Sequence, residues 1–536
     1  LLRRAAEHES DLPRAVGYLT RAGAWDAAAR VLVQRAQEQL SVGAGTTLEQ
    51  LLTLFPAEVA ESRPDLHLVR GLAAWPRFDW GSLLTHMERA AAGYAAAGRS
   101  RDAVLARANV CSGLQHDGRL AEASQELQRL CSLPLDDAAR AFVCYTATWD
   151  AFANARAEEA APMFNEMLQS LERMPVPALW LQFPIHCVFI GLPGMRPLLE
   201  RFVHGATRVC GDAPSQLRAG VMHLRAWLGL SAGRLDEAAR WMALADDDSR
   251  WLGNPRIVHT QNRLANLLLH ALRGARDEAY AVAADLIDDL RQHSPLSHRR
   301  VHESELLFIR ARAAWLLQDA AALREADAAL QQAANAKEWL AAPANRALVR
   351  ACVAMIEGRL DEARVLLQPL GHDVNRSLFY PATQARLMLA DVLLQQGDAD
   401  AAATTLKPWL QGEAAQGEAG GALLAGPQVL QRLAQVRWSE RLVPQEQALL
   451  RHLADLFGLA TQAPVPRQTP AGDGLSLSER EREVLARIAA GDSNKLIARA
   501  FDLSPHTVKR HVANILGKLG VETRGQAAAA YRDQGQ

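Results

Sequence analysis

One phrase recurs along the chain and limits its fold more than any other feature. It reads Asp117-Gly-Arg-Leu-Ala-Glu-Ala123, then Ala232-Gly-Arg-Leu-Asp-Glu-Ala238, then Glu357-Gly-Arg-Leu-Asp-Glu-Ala363. Looser copies stand at Ala22-Gly-Ala-Trp-Asp-Ala-Ala28, Ala97-Gly-Arg-Ser-Arg-Asp-Ala103 and Gln396-Gly-Asp-Ala-Asp-Ala-Ala402. Each copy places a glycine helix stop, a tight turn, and an acid-rich helix start that leads into small residues. Between copies the apolar residues recur at helical spacing, alanine and leucine dominate, and β-branched runs are almost absent. The pattern predicts an all-α protein, and a chain of 536 residues is long enough for several folding units.

A glycine stop followed by a helix start rich in alanine resembles the turn inside a tetratricopeptide hairpin, where alanines let two helices approach closely. Gly358 to Gly397 is 39 residues, against a standard period of roughly 34, so the repeats are degenerate. The resemblance implies a right-handed tetratricopeptide-like superhelix over residues 41–460, since each hairpin buries its apolar face only against its neighbours. An irregular all-helical domain without repeat geometry is the alternative.

The last sixty residues have another character. Ser478 with Glu481 has capping-box spacing, and Val484, Leu485, Ile488 and Ala489 follow on one stripe until Gly491. Ser493 caps a second helix that carries Lys495, Ile497, Ala498 and Arg499. Ser504 followed by Pro505 opens a third, with Val508, Val512, Ile515, Leu516 and Leu519 on its inner side. Its outer side presents Lys509, Arg510, Ala513, Asn514 and Lys518. Thr523 with Gln526 caps a short alanine-rich fourth helix running to about Tyr531. From Lys495 to Arg524, Lys495, Arg499, Lys509, Arg510, Lys518 and Arg524 face only Asp502 and Glu522, whereas the whole chain has a net charge of −1. A basic strip confined to one small unit suits phosphate binding. An ordinary helical domain with a solvated charged face would look the same on periodicity and charge alone.

The residues themselves decide between these readings. The stretch LSLSEREREVLARIAAGDSNKLIARAFDLSPHTVKRHVANILGKLGVETRGQAAAAY resembles the LuxR-type helix-turn-helix without a gap, with Phe501 where leucine is usual. The resemblance makes this a four-helix DNA-binding domain whose third helix enters the major groove of promoter DNA. By that resemblance Lys509, Arg510 and Ala513 face base edges, with Arg510 suited to bidentate pairing with guanine. Ser493, Asn494, Lys495, Ser504, Thr507, His511, Asn514 and Lys518 are then phosphate contacts. His511 equally fits a buried, hydrogen-bonded place between helices. Ala527, Ala528 and Tyr531 are implied dimer contacts, or they simply close the core.

Other segments carry less. Residues 411–427, rich in Gly, Ala and Gln, read as a mobile loop, and 461–474 as a linker to a DNA-binding domain at 475–536. Met174 to Pro197 is apolar with Trp180, Phe183 and Phe189, but four prolines interrupt it, so it reads as packed connection rather than membrane span. Trp227, Trp315, Phe379 and Tyr380 are most economically core. Cys111, Cys131, Cys144, Cys187, Cys210 and Cys352 are scattered, as in a reduced cytoplasmic protein. His298, His302 and Glu305 have helical ligand spacing, yet Arg299 and Arg300 disfavour a cation. No nucleophile elbow, zinc-protease signature or phosphate-cradling loop occurs, and no catalysis or cofactor is expected in these residues.

A superhelix followed by a LuxR-type unit resembles the large ATP-dependent regulators related to the maltose regulator of enteric bacteria. Residues 1–40 resemble that family's join between a winged-helix segment and the superhelix. The family's ATPase, with its ATP and ADP, would precede Leu1, and the absence of an initiator methionine fits a longer natural protein. The resemblance implies an activator that senses an inducer or protein partner, self-associates on DNA and engages RNA polymerase. A helical-repeat interaction scaffold with a decayed DNA-binding unit is the alternative.

Overall fold

A computed structural model describes every residue except 42–44, 78, 184–186, 213, 254–255, 294–295, 334–341, 373–380, 413–419, 439–440, 463–478, 502–507, 509–510, 513–514, 517–518, 520, 522 and 534–536. Among the described residues the chain is helical, with no strand. Consecutive helices pack as antiparallel pairs: Trp80–Ala96 on Ser100–His116, Asp137–Ala153 on Ala157–Glu172, Gln216–Ser231 on Leu235–Trp251, Arg256–Leu272 on Arg276–His293, and Ala342–Ile356 on Leu360–Leu370. The first helix of one pair also packs on the first helix of the next, from Gln216–Ser231 through Arg256–Leu272 and Leu296–Leu316 to Ala342–Ile356. The hairpins thus stack into a helical superhelix, because each exposes an apolar face that its neighbour covers. Paired helices occur before residue 40 as well, at Leu12–Arg21 and Trp25–Ser41.

The recurring phrase builds the hairpin turn. Gly118, Gly233 and Gly358 have φ of 78°, 73° and 72°, the left-handed conformation in which a side chain is strained. One residue on, the amides of Arg119, Arg234 and Arg359 donate back to the carbonyls of Leu114, Gly229 and Ala354 at 2.8, 2.9 and 2.8 Å, closing a Schellman-type stop. Each arginine then pairs with the glutamate three residues later: Arg119 with Glu122, Arg234 with Glu237, Arg359 with Glu362. These pairs are exposed, so solvent screens them and the turn does not depend on them. The closing alanines Ala123, Ala238 and Ala363 are fully buried where the two helices approach. The same turn occurs twice without glycine, at Ala155 (φ 55°) and Gln318 (φ 57°).

The array does not remain an open spiral. The Gly420–Leu423 helix packs on Gln216–Ser231, the Pro444–Gln462 helix on Arg256–Leu272, and Trp80–Ala96 on Leu296–Leu316. Trp315 Nε1 donates to the Ala425 carbonyl at 2.8 Å, and Gln216 Nε2 to the Leu40 carbonyl at 2.7 Å. One apolar core therefore runs from Ala108 to Leu453.

This closure corrects the expectation of a mobile loop over 411–427. Ala422, Leu423, Leu424 and Ala425 are buried, and a Cβ on Gly421 would lie 3.0 Å from that of Thr383. Glycine there permits close backbone approach rather than freedom. Residues 413–419 lie outside the described residues. Trp180, Phe183 and Phe189 join the core, and Trp180 fits only because residue 205 is glycine, where a Cβ would meet its ring at 2.4 Å. Trp227 is fully buried and Trp315 partly so, whereas Phe379 and Tyr380, the side chains of His298 and His302, and the linker core at 463–474 lie outside the described residues. No described helix is long and apolar enough to cross a membrane.

Candidate nucleic-acid interface

The C-terminal unit is assembled by local signals. Its first helix, Glu479–Ala489, ends at Gly491 (φ 87°), with the Asp492 amide donating to the Arg487 carbonyl at 3.1 Å. Ser493 accepts from the Leu496 amide at 3.4 Å and so caps the second helix, Asn494–Ala500. Thr523 and Gln526 form a reciprocal capping box, backbone to side chain at 3.0 and 3.3 Å, and open the fourth helix, Arg524–Asp533. Between them Val508, His511, Val512, Ile515, Leu516 and Leu519 are helical. Val484, Leu485, Ile488, Ile497, Ala498, Val508, Val512 and Ile515 form the core that the periodicity predicts, with Phe501 packed at its edge.

Arg524 braces this unit. Its Nη1 donates to Asn494 Oδ1 at 2.6 Å and its Nη2 to the Asp492 carbonyl, tying the fourth helix to the start of the second. A charged donor shared between two helix ends fixes where the second helix begins. Ser493 is exposed and Asn494 partly so at that start. The side chain of Lys495 and the residues Ser504, Thr507, Lys509, Arg510, Ala513, Asn514 and Lys518 lie outside the described residues.

Three of the remaining assignments have definite places. Ala527 and Ala528 face the core of the unit and are 0% and 8% exposed, so among the implied dimer contacts Tyr531, at 39%, is the one that presents surface. His511 is buried. Its ring lies 4.2 Å from that of Trp251, the planes 30° apart, and its Nε2 is 3.3 Å from the Trp251 carbonyl oxygen. The sequence offers no signal for Trp251 in this role, since it ends an array helix 260 residues away.

With this geometry in place, the comparison with known proteins is specific. Residues 475–530 match the family described as "Bacterial regulatory proteins, luxR family". They are a LuxR-type domain. The same region is 56% identical over 52 residues to the uncharacterized transcriptional regulatory protein YhcZ of Bacillus subtilis, covering 10% of this chain and 24% of that one. It is 55% identical over 51 residues to the response regulator VraR of Staphylococcus aureus, covering 10% and 24%. It is 41% identical over 70 residues to the nitrate/nitrite response regulator NarL of Escherichia coli, covering 13% and 32%. The chain thus spans a quarter to a third of these relatives, and the likeness concerns the LuxR-type domain alone.

Proposed function

We propose that this chain is the sensing and DNA-binding part of a bacterial transcription regulator that acts in the cytoplasm. The observation that carries the reading is the gap-free LuxR-type match over residues 475–530, with a local charge of +4 between Lys495 and Arg524 in a chain whose net charge is −1. Lys509, Arg510 and Ala513 read base edges, while Ser493, Asn494, Lys495, Ser504, Thr507, Asn514 and Lys518 hold the backbone. The superhelix receives the signal, an inducer or a protein partner, and the regulator activates by self-association on promoter DNA and contact with RNA polymerase.

Selection from a random pool of duplexes by the intact chain tests this reading. A recovered consensus that loses definition in Arg510→Ala supports it. Enrichment of no sequence, under salt conditions where the chain is folded, would instead favour an interaction scaffold with a decayed DNA-binding unit.

A further inference from the structure

The seam where the array closes on itself holds a cleft of about 340 Å³, within the range of small-molecule sites. One wall comes from the C-terminal ends of the Leu296–Leu316, Ala342–Ile356 and Ala382–Gln395 helices, the other from residues 425–432 of the closing segment. Trp315, Met355, Ile356 and Val429 contribute apolar surface, and Gln318, Gln395, Gln428 and Arg432 contribute polar groups. The Trp315 indole is fixed by its bond to the Ala425 carbonyl. Glycine at 426 leaves it room, since a Cβ there would lie 2.9 Å from Trp315 Nε1.

The lining selects against a charged occupant. Arg432 is the one charged side chain among the described lining residues, and the buried Asp391 carboxylate neutralises it through Nε and Nη2. An anion would also meet three helix C-termini, which carry partial negative charge. A cation would stand beside the guanidinium. The groups left over are balanced: Arg432 Nη1 and Gln318 Nε2 donate, Gln395 Oε1 and Gln428 Oε1 accept, and none has a partner among the described residues. An amide, with its C=O and N–H side by side, matches that set. Gln318 is held there against its backbone preference. It occupies, at φ 57°, the turn position that Gly118, Gly233 and Gly358 hold elsewhere, and its side chain accepts from Gln428 across the seam. A strained residue that brings its amide into a cleft points to a use for that amide.

We propose that this cleft binds a small uncharged amide with an apolar side chain, such as a capped amino acid presents, and that the occupant holds the closing segment against the array. Because it touches both walls, it favours the closed arrangement through its differential affinity for that state. This gives the array's role as receiver of the signal, on which any effect on DNA rests, a place and a ligand class.

Titration calorimetry of the full chain with N-acetyl-leucinamide, and with N-acetyl-leucine as its charged counterpart, tests this. The amide should bind saturably and about tenfold more tightly than the acid, since a carboxylate finds no unneutralised positive charge in the cleft. An amide that fails to saturate the chain at tens of millimolar, or an acid that binds as well, overturns the proposal. Gln318→Gly should melt no lower than the unaltered chain, because glycine relaxes the turn, yet bind the amide about tenfold more weakly. Undiminished binding in that variant places the ligand elsewhere and overturns it. A further readout needs no variant: hydrogen exchange of the backbone over residues 420–432 should slow when N-acetyl-leucinamide saturates the chain, and unchanged exchange overturns the locking of the seam. Duplex selection separates the two readings. A chain that selects DNA but ignores the amide loses the cleft alone, and one that binds the amide yet selects no sequence keeps the cleft and loses the regulator.

Discussion

Arg432 grips both carboxylate oxygens of Asp391, Nε to Oδ1 at 2.7 Å and Nη2 to Oδ2 at 2.6 Å. The Asp391 side chain has no exposed surface, whereas that of Arg432 is 41% exposed. Gln395 Nε2 adds a third donor to Oδ2 at 2.9 Å. The pair joins the Ala382–Gln395 helix to Pro427–Gln435, so it secures the part of the chain that closes the array.

Removing the arginine alone strands a buried carboxylate, which costs about 3–5 kcal/mol in comparable sites. Arg432→Ala should therefore lower the urea midpoint strongly, and Arg432→Lys should recover only part of the loss because an ammonium cannot match both oxygens. A change below about 1 kcal/mol in Arg432→Ala would show that Gln395 and solvent suffice for Asp391.

Acid sensitivity should arise inside the array. His223 is buried against Gln261, its Nε2 2.7 Å from Gln261 Oε1, and burial pushes the imidazole down to about 4. Burial lowers His67, His86, His259 and His270 as well. An unfolded histidine titrates near 6.5, so as pH falls below that value the unfolded chain gains protons first and stability is lost until the folded value is reached. For His223 the window is about 6.5 to 4, and the loss across it is about 3 kcal/mol at most. His223→Gln should flatten the fall in urea midpoint over that range, and an unaltered slope would remove His223 from the account.

Ala155 occupies the turn position that glycine holds elsewhere, at φ 55°, with the Arg156 amide still donating to the Ala151 carbonyl at 2.8 Å. A side chain in this conformation costs about 1–2 kcal/mol. Ala155→Gly should raise the melting temperature, with part of the gain offset by the greater freedom of glycine in the unfolded chain. A lower melting temperature would mean that the Ala155 methyl contributes more through packing than it costs in backbone strain.

On DNA, Arg510 and Lys495 should separate. Arg510→Ala should cost about 1–3 kcal/mol on a preferred sequence and relax preference at one base position. Lys495→Ala should weaken binding on all sequences alike and reduce the salt slope by about one. Salt titrations of both variants on preferred and random duplexes distinguish these outcomes, and equal losses on the two duplexes for Arg510→Ala would withdraw its base-reading role.

What the sequence revealed was local. The turns at Gly118, Gly233 and Gly358 were legible because stop, turn and helix start lie within seven residues, and Ser493 and Thr523 marked helix starts for the same reason. The turns at Ala155 and Gln318 were not, since nothing in those residue types announces a left-handed backbone. Contacts between distant segments left no trace: Gln216 with Leu40, Trp315 with Ala425, and Trp251 with His511 pair residues 176, 110 and 260 apart. The small residues at 420–425 looked like slack chain because composition alone cannot separate loose backbone from backbone pressed against a neighbour. At the interface the caps and core of the LuxR-type domain were readable, but the burial of His511 depends on a tryptophan that no local pattern connects to it.

The closure of the array changes how a disturbance travels through it. In an open solenoid each hairpin influences only the next, and the chain can fray from either end. Here a single hydrogen bond between Trp315 and Ala425 spans what would otherwise be a relay through the intervening hairpins. Position along the sequence is therefore a poor guide to mechanical distance. The array should behave less like a string of beads than like a clasped ring, coming apart in one step when the clasp opens.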